Sequence, residues 1–169
     1  LEGDLARGAF RTALHRLRKL LEDAHAVEFD GASVRLDPTH VWVDALAFEQ
    51  LADSAESHLL RGEGPRGRFE GAEAAALYAG HFLADQPESA WVLAPQQRLR
   101  SRFARLTSML GEHLEHGGEA AQARALYMQA IEIDPLHEET ARRLMVLLRD
   151  GGETSAALEV YRALRQRLS

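Results

Sequence analysis

Between Leu5 and Leu21 the apolar residues Phe10, Leu14, Leu17 and Leu21 recur at i, i+4, i+7 and i+11. That is the spacing of one buried stripe on a helix. At about 100° per residue, Arg11, Thr12, His15 and Lys19 fall on the far side. Asp4 is placed to cap the helix start, where its carboxylate can accept a free N–H. The period then shortens to two. Val27 and Phe29 alternate with Glu28, Val34 and Leu36 alternate with Arg35, and Asp30-Gly31 stands between them. This predicts a β-hairpin, ended by Asp37-Pro38. From Asp44 the period is helical again, through Leu46, Phe48, Leu51, Ala52, Ala55 and Leu59. "RGEGPRGR" predicts a loop, Glu70 to Tyr78 a short alanine-rich helix, and "GHFLADQPESAW" an irregular connection. A long helix is expected from Glu88 to His116, with Pro95 marking a kink or its true start. Three more follow, over Glu119–Ile133, Leu136–Asp150 and Glu153–Leu168, punctuated by Gly117-Gly118, Pro135 and Gly151-Gly152.

Within this helical stretch one phrase is written twice. Gly118 and Gly152, Ala123 and Ala157, and Tyr127 and Tyr161 are each 34 residues apart. That is the period of tetratricopeptide helix pairs. The small Ala lets the second helix of a pair sit close to the first, the aromatic fills the gap beside it, and Pro ends the unit. Gly111, Ala123, Tyr127, Ala130 and Pro135 occupy these positions in the first copy, and Met145 replaces the small Gly in the second. Tyr127 and Tyr161 are both expected to be buried. Ala74 and Tyr78 read as a third, degenerate copy.

Composition and charge narrow the chemistry. The chain has 169 residues, is 46% hydrophobic and 27% charged, and contains no cysteine. This excludes a disulfide framework and any Cys-based metal site or nucleophile. Its apolar runs fall short of the ~20 residues that span a bilayer, so no membrane association is expected, and the cytoplasm is the expected compartment. The net charge is −6, but Arg7, Arg11, Arg16, Arg18 and Lys19 lie between Leu5 and Leu21 with no acid among them. A local basic stripe weighs more for DNA than the net total. Arg18, near the edge of the apolar stripe, is expected to make a structural ion pair. The chain opens on Leu1 rather than Met and is read as a fragment lacking its upstream part.

No catalytic, cofactor or metal site is predicted. His113 and His116, with Glu112 and Glu115, lack the HExxH pattern and read as a solvated helix end. "GEGPRG" lacks the Gly-Lys-Ser/Thr ending of a phosphate loop, and no serine sits in a nucleophile elbow. Trp42 and Trp91 read as core or interface anchors. The chain is not expected to be an enzyme.

A basic amphipathic helix followed at once by a short hairpin is the layout of the recognition helix and wing of a winged helix-turn-helix. "FRTALHRLRKLL", the hairpin, "VDALAFEQL", "ALYAGHFL" and above all "IDPLHEETARRLMVLLRDGGETSAALEVY" resemble the bacterial transcriptional activator domain family, whose best-known members regulate antibiotic pathways. The resemblance implies a mainly α fold: a partial winged helix over residues 1–37, then a tetratricopeptide-like helical-repeat domain over residues 38–169. It implies a DNA-binding regulator of transcription, an activator, with double-stranded DNA as partner of the intact protein. Arg7, Arg11, Thr12, His15, Arg16, Lys19 and Arg35 are the candidate DNA contacts. Ser33-Val34 stand before Arg35 where the family's wing carries Gly-Tyr. Arg105, Ser108, Glu112, Glu115, Arg142, Val146 and Arg149 are the candidate protein contacts, on the concave face formed by the first helix of each pair. RNA polymerase and a second copy of the chain are the partners the family suggests. The alternative is a purely protein-binding repeat module of a larger signalling protein, whose basic helix only packs.

Overall fold

The computed structural model describes residues 2–84 and 90–168, with side chains from Leu5 onward. It is mainly helical and divides into two compact units, residues 1–43 and 44–169. In the first unit, α1 (Glu2–Leu20) is followed by the antiparallel strands β1 (Val27–Phe29) and β2 (Val34–Leu36), with Glu28 opposite Arg35. Because α1 starts at Glu2, Asp4 lies inside the helix, and its side chain is outside the described residues. The apolar stripe of α1 is only partly covered. Phe10 meets Phe29 of β1 with ring centroids 4.8 Å apart, yet stays 38% exposed. Ala26 and Val27 are the buried apolar residues described in this unit.

The second unit is a run of helices: α2 (Asp44–Leu60), α3 (Gly64–Leu77), α4 (Ala90–His116), α5 (Ala120–Ile133), α6 (Glu138–Asp150) and α7 (Thr154–Leu168). Each packs on the next in the pairs α2–α3, α4–α5 and α6–α7, and α4 also lies on α2 while α5 carries α6. Asp44 opens α2 as expected, accepting the Ala45 N–H at 2.7 Å. The expected start of α4 at Glu88 lies outside the described residues. Pro95 does not begin this helix, which is already formed at Ala90. The carbonyl that Pro95 leaves without a donor belongs to Trp91, whose exposure allows water to satisfy it.

"RGEGPRGR" is not a loop. Gly64-Pro65 begins α3, where the missing N–H of proline costs nothing. Gly67 and Gly71 sit inside the helix because a Cβ would press on Leu59 at the first and Leu110 at the second. The same segment contains a turn that recurs. Gly62, Gly118 and Gly152 each adopt positive φ, at 80°, 74° and 83°, a conformation cheap only for Gly. The glutamate after each returns its N–H to the preceding helix: Glu63 to His58, Glu119 to Leu114 and Glu153 to Leu148, at 2.8–2.9 Å. This places Gly67, Ala123 and Ala157 at one position of three helix pairs, and Gly71, Tyr127 and Tyr161 at another. Ala74 and Tyr78 are buried but belong to a different register from the one their spacing suggested.

Among these positions only Tyr127 is an enclosed aromatic, at 0% exposure. Gly111 makes this possible: a Cβ there would overlap the hydroxyl end of the Tyr127 ring. In the next pair Met145 occupies the place of Gly111, and Tyr161 is 48% exposed. The expectation that Tyr161 is buried is therefore wrong. Met145 stands where Gly111 admits the Tyr127 ring, and no described helix covers the outer side of α7, in which no residue is fully buried.

Candidate functional site

On α1 all the candidate DNA contacts are exposed: Arg7, Arg11, Thr12, His15, Arg16 and Lys19. By helical geometry Arg7 and Arg11 flank the apolar stripe, and the other four occupy the opposite half. The Thr12 hydroxyl donates to the Gly8 carbonyl at 3.0 Å, so its proton is committed to its own helix. Arg18 departs from expectation in its partner. Its Nε and Nη2 donate to the Val27 carbonyl at 3.0 and 2.6 Å, so it binds α1 to β1 through the backbone rather than through a carboxylate. This aims the hairpin relative to the basic face.

Arg35 projects from β2 and lies 3.4 Å from Asp30 at the hairpin turn. Asp30 also accepts the N–H groups of Ala32 and Ser33 at 2.9 and 2.8 Å. Those bonds, led by the one from Ser33, hold its carboxyl below the usual aspartate value, and backbone bonding from His25 does the same for Asp23. With lowered folded values, the stabilisation is complete above the ordinary aspartate value of 3.8 and is lost as pH falls through the lowered ones. The Ala32 and Ser33 amide resonances are therefore expected to move towards random-coil shifts as pH falls through the lowered Asp30 value. Asp30→Asn should already weaken the turn at neutral pH, as NMR would show.

The candidate protein contacts separate into two groups. Arg105, on α4, grips Glu56 of α2 with two bonds of 2.9 and 2.5 Å. Glu56 is buried, so this pair joins successive helix pairs. Glu112 and Glu115 also look inward, meeting Arg143 of α6 rather than the Arg142 expected beside them. Glu115 further accepts the Tyr127 hydroxyl. Burial first, and this carboxylate second, push the Tyr127 phenol far above its ordinary value. Ser108 is half-buried. Arg142 and Arg149 remain exposed and pair only within α6, with Glu139 and Asp150. Val146, partly covered, lines an apolar groove between α6 and α7. Arg142, Val146 and Arg149 thus share one open face, while the α4 residues are largely spent on joining helices. Among the described residues no cluster of His, Cys, Asp and Glu is arranged to hold a metal ion, and no helix is long and apolar enough to cross a membrane.

Residues 43–169, the helical unit together with Val43, match the family described as bacterial transcriptional activator domain. The chain belongs to this family. It is also 29% identical over 144 residues to the regulatory protein DnrI of Streptomyces peucetius, an alignment covering 83% of this chain and 51% of that protein. The chain thus spans about half the length of the curated relative it matches. The family is one of transcriptional regulators.

Three features of the helical unit escaped the sequence reading: Arg143, the Arg100–Asp134 pair and the first repeated turn. Asp134 is buried and receives Arg100 at 2.7 and 2.8 Å, closing the end of α5 against α4. Gly-Glu stands at all three turns, 62–63, 118–119 and 152–153, but also at 111–112 inside α4, so the dipeptide alone did not single the turn out. Nothing in the spacing distinguished Arg143 from Arg142.

Proposed function

We propose that the intact protein is a DNA-binding activator of transcription. Residues 1–37 supply the recognition helix and wing of a winged helix-turn-helix, and residues 38–169 form a tetratricopeptide-like domain that contacts protein. The observation that carries this reading is the exposed basic face of α1 from Arg7 to Lys19, joined to a hairpin by Arg18, in a chain whose other unit belongs to a family of transcriptional regulators. Arg7, Arg11, Thr12, His15, Arg16 and Lys19 face the duplex, and Arg35 reaches phosphate from the wing when it leaves Asp30. The protein works in the cytoplasm, on double-stranded DNA.

In the intact protein, Arg11→Ala and His15→Ala are each expected to weaken operator binding by about 1–3 kcal/mol if the lost contact is to a base edge. Fluorescence anisotropy at fixed salt measures this. Unchanged affinity in both variants transfers the reading to a protein-binding module whose basic helix only packs. That reading draws support from the Arg35–Asp30 pair, which occupies the one cation of the wing.

The open face of α6 is the activating surface in this proposal. It engages RNA polymerase, and a homodimer contact uses another face. Reversing Arg142 and Arg149 to Glu is expected to lower transcription severalfold while operator affinity stays unchanged. Transcription that survives the reversal removes this face from the mechanism.

A further inference from the structure

The repeated turns set a register in which the first two helix pairs differ at one end. Gly62 and Gly118 are 56 residues apart, and so are Asp44 and Arg100, Phe48 and Ala104, Tyr78 and Asp134, and His81 and His137. The fold keeps this correspondence. Tyr78 and Asp134 end α3 and α5, and their N–H groups return to the carbonyls of Ala74 and Ala130, which stand in the same relation. Asp44, Phe48, Tyr78 and His81 line a hollow of the first pair. Their counterparts line a hollow of the second.

The second hollow satisfies its own charges, because Arg100 holds Asp134 with bonds of 2.7 and 2.8 Å. The first keeps neither half of that bridge. Asp44 takes the place of the guanidinium, and Tyr78 takes the place of the carboxylate. One oxygen of Asp44 accepts the Ala45 N–H at 2.7 Å, and among the described residues no cation pairs with the carboxylate. The positive end of α2 offsets only about half of a unit charge. The walls are apolar and aromatic. Phe48 and Tyr78 are buried with ring centroids 5.2 Å apart, and Tyr78 stacks on Phe103 at 4.4 Å, which fixes its ring. Buried Leu99 and partly buried Phe82 line the same hollow.

We propose that the hollow of the first pair binds a small organic ammonium, with an aromatic body against Phe48, Tyr78 and Leu99 and its charged nitrogen at Asp44. The hollow holds about 270 Å³, just below the ~300–1,000 Å³ of sites for drug-sized ligands, so the ligand is small. A carboxylate without its cation at the rim of an aromatic hollow selects such a molecule. The acid attracts the charge, and the ring faces attract it further through their quadrupoles. A hydrated inorganic cation gains nothing from the apolar walls, and an organic anion is repelled by Asp44. This ligand site belongs to the helical unit alone and does not rest on the DNA-binding reading.

The test titrates the full chain, isotope-labelled for NMR, with phenethylammonium, phenethyl alcohol and hydrocinnamate. These share a ring and a short stem and differ in charge. Phenethylammonium is expected to shift the Ala45, Ala79 and Gly80 amides saturably and to bind at least tenfold more tightly than either of the others. Asp44→Asn is expected to bring it level with the alcohol. Asn caps a helix start as well as Asp does, so the circular dichroism spectrum of the variant should be unchanged and the loss assigned to charge. Absence of a saturable shift, equal binding of the three compounds, shifts centred away from the hollow, or a preference that survives Asp44→Asn overturns the proposal.

Discussion

Replacing Tyr127 by alanine is expected to destabilise the helical unit by about 3–5 kcal/mol, the range for truncating an enclosed aromatic. The ring is fully buried against α4, and its hydroxyl is committed to Glu115. Gly111→Ala should also destabilise, by about 1–3 kcal/mol, because the added methyl overlaps the ring. The two substitutions are expected to couple strongly. Once Tyr127 is alanine, the methyl at position 111 enters vacated space, and alanine favours the helix over glycine by about 1 kcal/mol. The double variant should then be more stable than Tyr127→Ala alone. Tyr161→Ala, at a half-exposed position, should cost less than about 1 kcal/mol. Urea titration followed by circular dichroism gives all four values. A Tyr161 cost equal to that of Tyr127 would contradict the difference in enclosure between the two pairs.

That contrast shows how far the repeat could be read from the chain. The periodicity of apolar residues located six of the seven described helices and both described strands to within a few residues, because helices and strands space their apolar residues at different periods. The seventh, α3, was half hidden. Its first turn is built from Gly, Pro, Arg and Gly, residues that signal a loop unless a neighbouring helix presses close enough to require glycine. Leu59 and Leu110 do so, and nothing local in the sequence says that they will. The burial of Tyr161 was misjudged for a related reason. Matching Tyr127 in spacing does not supply Tyr127's surroundings, which consist of a glycine on one helix and a later helix on the other. The basic helix and its hairpin were legible because their signals are local. Their partners were not: Arg18 binds a backbone carbonyl, and Arg35 sits beside Asp30. Spacing cannot separate those choices.

Arg143 is the clearest case of a residue whose role only three dimensions reveal, and its removal carries the second large expected effect. Arg142 and Arg143 are adjacent and chemically identical. The side chain of Arg142 is 59% exposed and pairs with Glu139 in its own helix, an arrangement worth at most a few tenths of a kcal/mol to about 1. That of Arg143 is 18% exposed and reaches Glu112, Glu115 at 3.5 Å and Glu139 at 3.0 Å. Deleting it leaves Glu112 and Glu115 without the cation they share, while Glu139 keeps Arg142. Arg143→Ala is therefore expected to cost about 2–4 kcal/mol, below the full figure for a buried pair because Glu112 and Glu139 keep contact with water. Arg142→Ala should cost less than about 1 kcal/mol. The loss at Arg143 should shrink when the carboxylates are removed with it, as in a Glu112→Gln, Glu115→Gln background, because the residual repulsion disappears. If Arg142→Ala and Arg143→Ala melt alike at neutral pH, the joint between the second and third helix pairs does not depend on this guanidinium.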